Sequence, residues 1–222
     1  MQSETLQAKN ISFGYDEKHL ILNKINLTIK RGERVGIIGP SGCGKSTLAQ
    51  ILAGLIKPAS GEVLFNGKPL PQKGYCPVQL IYQHPEKAVN PRRKMRRTLA
   101  EGFQSSKGIS SSNRRDKQNL DIEFLIPFGI EQQWLDRYPA ELSGGEIQRF
   151  CIARALANEK CCFLLADEIS TMLDVITQAQ IWNLLLSTVE KKRLGLLAVT
   201  HNEHLAEKIC TRIIRFEELK QI

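Results

Sequence analysis

Apolar and polar positions recur with a strand's period over the first third of the chain and with a helix's period through the middle. Residues 6–13 and 22–29 carry apolar side chains at strand-like spacing, and Arg31-Gly32-Glu33 makes a turn before a short apolar, β-branched run at 35–38. A run of that kind predicts a strand buried on both faces of a parallel sheet. A glycine-rich loop follows, then a helical pattern over 45–55 that stops near Lys57-Pro58. Residues 62–65 and 78–82 are two further strand candidates. From about 88 to 157 the period is helical, broken by the polar stretch 104–119, which reads as a surface loop. Strand and helix then alternate: 162–166, 177–189, 194–200, 203–210 and 212–216. The pattern predicts an α/β fold, a mainly parallel core sheet with a helical insertion.

Composition narrows the class without naming a partner. The 222 residues, 42% hydrophobic and 24% charged, suit a soluble globular protein, and no apolar run approaches the roughly 20 residues that span a bilayer. No secretion signal is expected, so any service to a membrane comes from its surface, through a partner. The net charge of +8 suits nucleic acid, anionic lipid or a phosphate ligand and selects none of them. Six cysteines stand at 43, 76, 151, 161, 162 and 210 with no CxxC spacing. Small hydrophobes in a reducing interior are the favoured reading, with a metal site or a disulfide frame as the alternatives.

Candidate chemistry begins at Gly39-Pro40-Ser41-Gly42-Cys43-Gly44-Lys45-Ser46, which fits G-x-x-x-x-G-K-[ST] in full and is followed by Thr47. Glycines let the backbone curl so that successive N–H groups face phosphate oxygens, and the helix starting near Lys45 adds its positive end. Lys45 brings a full charge to the β- and γ-phosphates of ATP, and the Ser46 hydroxyl can ligate Mg2+. The bland alternative is a glycine-rich turn before a helix; the β-branched strand before it and the amphipathic helix after it favour the phosphate loop.

The apolar run 162–166 ends in Asp167 and Glu168. Ligands of parallel sheets gather at the carboxyl ends of strands, where Asp167 would hold magnesium and Glu168 would act as general base on the attacking water. A solvated helix-capping pair is the alternative. Leu142-Ser143-Gly144-Gly145-Glu146 precedes a helical pattern over 147–157, with Ser143 as N-cap and Glu146 as its capping-box partner. A glycine-rich helix start is also a second phosphate-binding end, and both readings hold at once.

With these motifs in this order, nearly the whole chain resembles the ATPase subunits of ABC transporters. The resemblance implies a P-loop NTPase core (residues 1–87 and 158–222) with an N-terminal antiparallel β subdomain, and an inserted helical subdomain (88–157), all within one ABC ATPase domain. It also implies roles for isolated residues. Tyr15 resembles the aromatic residue that stacks on adenine. Gln83 resembles the glutamine that touches magnesium and water and communicates with the membrane subunits. His201 resembles the switch histidine that contacts the γ-phosphate. The family's geometry implies a head-to-tail dimer, with ATP between the 39–47 loop of one subunit and the signature of the other. The aspartate of the following loop, Asp174 here, crosses that interface. Implied partners are a second ABC ATPase, identical or paralogous, integral membrane permease subunits and, indirectly, an extracytoplasmic substrate-binding protein. The implied place is the cytoplasmic face of the membrane.

Asn90-Pro91-Arg92, the lead-in Tyr138-Pro139-Ala140-Glu141-Leu142 and the segment 174–181 look like the peptide/nickel importer branch. The chain stops at Ile222, which leans towards the short nickel or metal-chelate members. Ile169 stands where the family usually has proline after the catalytic glutamate, and Met172 where alanine is common. A soluble ABC-type ATPase acting on nucleic acid or ribosomes is the competing class; paired nucleotide domains or long coiled-coil insertions usually mark it. Residues 92–97 pack five cations into six positions. They read as a solvated helical face, as a contact for membrane subunits or anionic headgroups, or, without interleaved aromatics and so last, as a nucleic-acid patch. No nucleic-acid partner is expected.

Overall fold

A computed structural model describes residues 4–16, 19–104, 122–171 and 173–220. The polar stretch expected as a surface loop lies, from 105 onwards, outside the described residues, as does Met172. Packing divides the chain into two units: Met1–Leu80, Cys162–Glu168 and Val189–Ile222 form the first, Ile81–Cys161 and Ile169–Thr188 the second.

The first unit holds two sheets. Strands β1 (Thr5–Phe13), β2 (Leu22–Lys30), β4 (Ser60–Phe65) and β5 (Lys68–Pro69) form an antiparallel sheet in the order β2-β1-β4-β5. The second sheet takes the order β6-β7-β8-β3-β9, from β3 (Arg34–Ile38), β6 (Val78–Ile81), β7 (Phe163–Asp167), β8 (Gly195–Thr200) and β9 (Arg212–Arg215). β7, β8, β3 and β9 run parallel. Every residue of β7 and β8 is buried, which is why these strands read as continuous apolar runs rather than alternations. Leu6, Ile11, Ile25 and Ile29 of the antiparallel sheet share one core with Val35, Ile37, Leu165 and Leu197 of the parallel sheet. Leu48, Ile51 and Leu52 of helix α1 (Lys45–Leu52) complete it, each such side chain contributing about 1.5–3 kcal/mol.

Helix α1 ends at Leu52, short of the expected 55, because the Gly54 and Leu55 amides turn back onto the Ile51 and Gln50 carbonyls at 2.9 Å each. The unit closes with helix α6 (Glu203–Ile209), which packs against β3 and β8.

The second unit is helical. It contains α2 (Met95–Gln104), the single turn α3 (Ile122–Leu125), α4 (Gly144–Leu156) and most of α5 (Val175–Lys192), joined by 3-10 turns at Pro85–Lys87, Ile126–Phe128, Gln132–Asp136 and Pro139–Glu141. α2 packs on α4, and the rings of Phe103, Phe124 and Phe128 follow one another at centroid distances of 5.0 Å. Residues 169–188 belong here, whereas the sequence placed them with the strand core. Ser170 Oγ accepts from Trp182 Nε1 and Gln178 Nε2 within the segment, and Arg149 of α4 ties it to the helices by donating to Gln180 at 2.7 Å.

Candidate functional site

The parallel register decides which residues meet. Ile38 stands opposite Thr200 and Asp167 opposite Val199, so the carboxyl ends of β3, β7 and β8 are level. From those three ends emerge the 39–47 loop, Asp167-Glu168 and His201.

The loop is shaped by what lies beneath it. Gly44 adopts φ +113, and a Cβ there would lie 2.7 Å from Ile21 Cγ2 and 3.2 Å from Phe216 Cζ. Both the backbone conformation and the apolar floor therefore demand glycine. Lys45 is only 4% exposed, and its Nζ donates to the Gly39 and Pro40 carbonyl oxygens at 2.8 Å each. Among the described residues no carboxylate lies within ion-pair distance of it. A buried cation held by neutral carbonyls is under-compensated, and an incoming phosphate supplies the missing negative charge. The residues present fit a nucleotide triphosphate.

Ser46 Oγ donates to Asp167 Oδ1 at 2.9 Å. Asp167 is 4% exposed, and burial pushes its carboxyl above the usual carboxylate range, against the opposing pull of the Ser46 hydrogen bond. A hydroxyl and a carboxylate make a hard-oxygen pair of the kind magnesium takes. Among the described residues no group of three or more His, Cys, Asp or Glu side chains could hold a metal ion by itself. Magnesium would therefore be completed here by phosphate and water oxygens, as it usually is.

Glu168 sits at φ +46, in the left-handed region, with its amide donating to the Val199 carbonyl at 3.0 Å. Its Oε2 lies 3.4 Å from His201 Nδ1. Such a conformation is costly for a residue with a Cβ and persists because the neighbours fix it. Ile169, which follows, is buried.

Tyr15 is 71% exposed; its hydroxyl lies 3.3 Å from Thr47 Oγ1, and its ring meets Phe13 edge to face at 5.1 Å. One ring face remains open beside the loop. The sequence reading missed the supports Phe216, Ile21 and Phe13. Single apolar residues far apart in the chain carry no local signal of a shared floor.

The helical unit carries the other expected residues. Gln83 stands two positions past β6, ahead of the turn Pro85–Lys87. Ser143 caps α4: its Oγ accepts the Glu146 amide at 3.3 Å, and the Glu146 carboxylate accepts the Ser143 amide at 2.6 Å. Leu142 closes the preceding turn, its amide bonded to the Pro139 carbonyl. Gly144 faces open space, and a Cβ on Gly145 would lie 3.0 Å from Thr177 Cγ2. Asp174 caps α5, with Oδ1 accepting the Ile176 and Thr177 amides at 3.1 and 3.0 Å. The hydrogen bonds from Thr177 hold its carboxyl below the usual range.

The cysteines are free thiols; Cys151, Cys161 and Cys162 are buried, and burial raises Cys151 to about 11. Cys43 Sγ lies 3.9 Å from Lys45 Nζ.

A family model described as ABC transporter matches residues 22–171. The chain is 36% identical over 209 residues to the nickel import system ATP-binding protein NikE of Staphylococcus aureus strain bovine RF122 / ET3-1, covering 94% of this chain and 85% of that protein. It is 35% identical to the protein of the same name from strain MSSA476, over the same shares. Among solved structures it resembles the ATP-binding cassette MJ0796 as a dimer in a post-hydrolysis state bound to ADP and Pi. That likeness has a TM-score of 0.78 and 29% identity, over 95% of this chain and 93% of that one.

Proposed function

The chain belongs to the ABC transporter family as one of its ATPases, and from that premise we propose that it is the ATP-hydrolysing subunit of an importer that takes up nickel or a metal chelate. The observation that carries the catalytic part is the cluster at the level strand ends, Lys45, Ser46 with Asp167, and Glu168 with His201. The similarity to nickel import ATPases supports the cargo; peptide is the neighbouring possibility within the same branch.

In this reading the 39–47 loop takes the ATP phosphates, and Lys45 exchanges the Gly39 and Pro40 carbonyls for β- and γ-phosphate oxygens. Tyr15 offers its open ring face to the adenine. Ser46 and Asp167 hold magnesium, with Gln83 as a further contact that reports the state of the nucleotide towards the membrane subunits. Magnesium, when bound, neutralises the charge that develops on the transferring phosphoryl group. Glu168 accepts a proton from the attacking water through its carboxylate. His201, in contact with that carboxylate, turns its imidazole to the γ-phosphate, and Lys45 stabilises the charge on the same group.

The signature residues 142–146 complete the site of a second subunit rather than of their own. Ser143 and the start of α4 would meet the γ-phosphate held by the partner's loop. Asp174 and the adjacent Val175 and Ile176, apolar yet strongly exposed, are the surface proposed to lie against that partner. No helix among the described residues is long and apolar enough to cross a membrane. The likeness to the ATP-binding protein of a nickel import system supports membrane permease subunits as its partners, with this chain peripheral on their cytoplasmic side.

The test is Glu168→Gln. Turnover is expected to fall by roughly 10²- to 10⁴-fold while ATP binding is retained and an ATP-bound dimer accumulates in sedimentation. Unchanged turnover would refute the assigned base. Uptake of labelled nickel, set against labelled peptide, in cells lacking the chain reads out the cargo.

A further inference from the structure

The cations at 92–97 do not form the simple helical face the sequence suggests. Arg92, Arg93 and Lys94 lie in the turn before α2, Arg96 and Arg97 in its first turn, and Met95 between them is fully buried. With Tyr138, remote in sequence, these five cations line one cavity of about 440 Å3 within the helical unit. That size is in the range of small-molecule sites.

Two carboxylates answer part of this charge. Asp136 accepts from Arg96 Nε and Nη2 at 2.9 and 2.8 Å and lies 3.8 Å from Lys94, and Arg96 holds its carboxyl below the usual range. Glu101 is shared between Arg93 and Arg154, each at 3.3 Å. Among the described residues the guanidinium groups of Arg92 and Arg97 have no carboxylate partner. The first turn of α2 carries no acidic residue, so the helix's positive end adds to the excess instead of being offset.

We infer that the cavity lined by Arg92, Arg93, Lys94, Arg96, Arg97 and Tyr138 is a binding site for a phosphate-bearing anion, separate from the ATP site. Guanidinium forks pair with phosphate oxygens two at a time, and a doubly charged phosphate matches the two unanswered arginines. Tyr138, half-exposed, lines the same cavity and adds an aromatic side chain with a hydroxyl to a wall otherwise made of cations. The cations converge on one concavity instead of forming a track, which favours a compact phosphate over an extended polyanion. Free organic phosphates and phospholipid headgroups share this chemistry.

Binding is tested with intact protein whose 39–47 loop is filled by magnesium and a non-hydrolysable ATP analogue. Inorganic pyrophosphate is titrated calorimetrically at low ionic strength, and phosphatidylglycerol vesicles are offered in a parallel sedimentation assay. The expected result is saturable binding of one pyrophosphate per chain, of the vesicles, or of both. That binding is weakened at least about tenfold, roughly 1.4 kcal/mol, in the double variant Arg92→Gln/Arg97→Gln, whose melting temperature and ATP affinity stay at wild-type values. Pyrophosphate alone identifies a soluble ligand, and vesicles alone a headgroup. Failure of both probes, binding that the double variant leaves unchanged, or displacement of pyrophosphate by a tighter-binding single-stranded RNA would overturn the inference.

Discussion

Burial raises the Asp167 carboxyl above its ordinary value, the desolvation outweighing the Ser46 hydrogen bond and the Lys45 charge, with the neighbouring Glu168 charge adding to the rise. A carboxyl raised on folding gives stability that is complete below its unfolded pKa, about 3.9, and is lost as pH climbs through its folded value. Nucleotide-free protein is therefore expected to melt higher as Asp167→Asn than as wild type at pH 7, with the gap closing towards pH 4. Addition of magnesium and ATP should reverse the order, because only the carboxylate serves the metal. Thermal melts across that pH range check both statements; a lower melting temperature for the nucleotide-free variant at pH 7 would contradict the first. Gly44→Ala is expected to lose about 1–3 kcal/mol of stability and most ATP affinity, from its φ of +113 and the approach to Ile21. The motif residues themselves were legible because the phosphate loop and the acidic pair are contiguous in sequence. The left-handed backbone of Glu168 and the Phe216 floor were not, since tertiary neighbours impose them.

Helix starts show how one residue can serve packing and chemistry together. Ser143 caps α4, and asparagine caps as well as serine within a few tenths of a kcal/mol. Ser143→Asn is therefore expected to keep the melting temperature while losing ATP turnover, and Ser143→Ala to lower both, costing about 1 kcal/mol in stability. Equal turnover in Ser143→Asn and wild type would leave the serine with its cap alone. Asp174→Ala should likewise lower stability through the loss of the α5 cap, a shift in midpoint measurable by denaturant titration. The capping box of α4 was readable from its Ser-x-x-Glu spacing. The start of α5 was placed two residues late because the exposed Val175 and Ile176 break the apolar periodicity that marks a helix. The buried strands β3, β7 and β8 were legible as apolar runs, but the pairing order that makes their ends level is a long-range property with no local signal.

At the scale of the molecule, the two sheets and α1 gather the phosphate loop, both acids and His201 in the first unit, while the signature and Asp174 belong to the second. The sequence predicts a strand core with a helical insertion over 88–157; packing also groups 169–188 with those helices, where Arg149 of α4 donates to Gln180, a side-chain pairing that periodicity does not encode. The central claim is that a complete ATP site needs two subunits, each lending what the other lacks. Mixing two inactive chains tests it most directly, one carrying Lys45→Ala and the other Ser143→Asn. In a head-to-tail dimer the mixed pair has one doubly broken site and one made wholly of intact residues. The mixture is expected to regain ATP turnover, up to about a quarter of wild type, the share of intact sites in a random population. Turnover no higher than the sum of the two variants measured alone would contradict it.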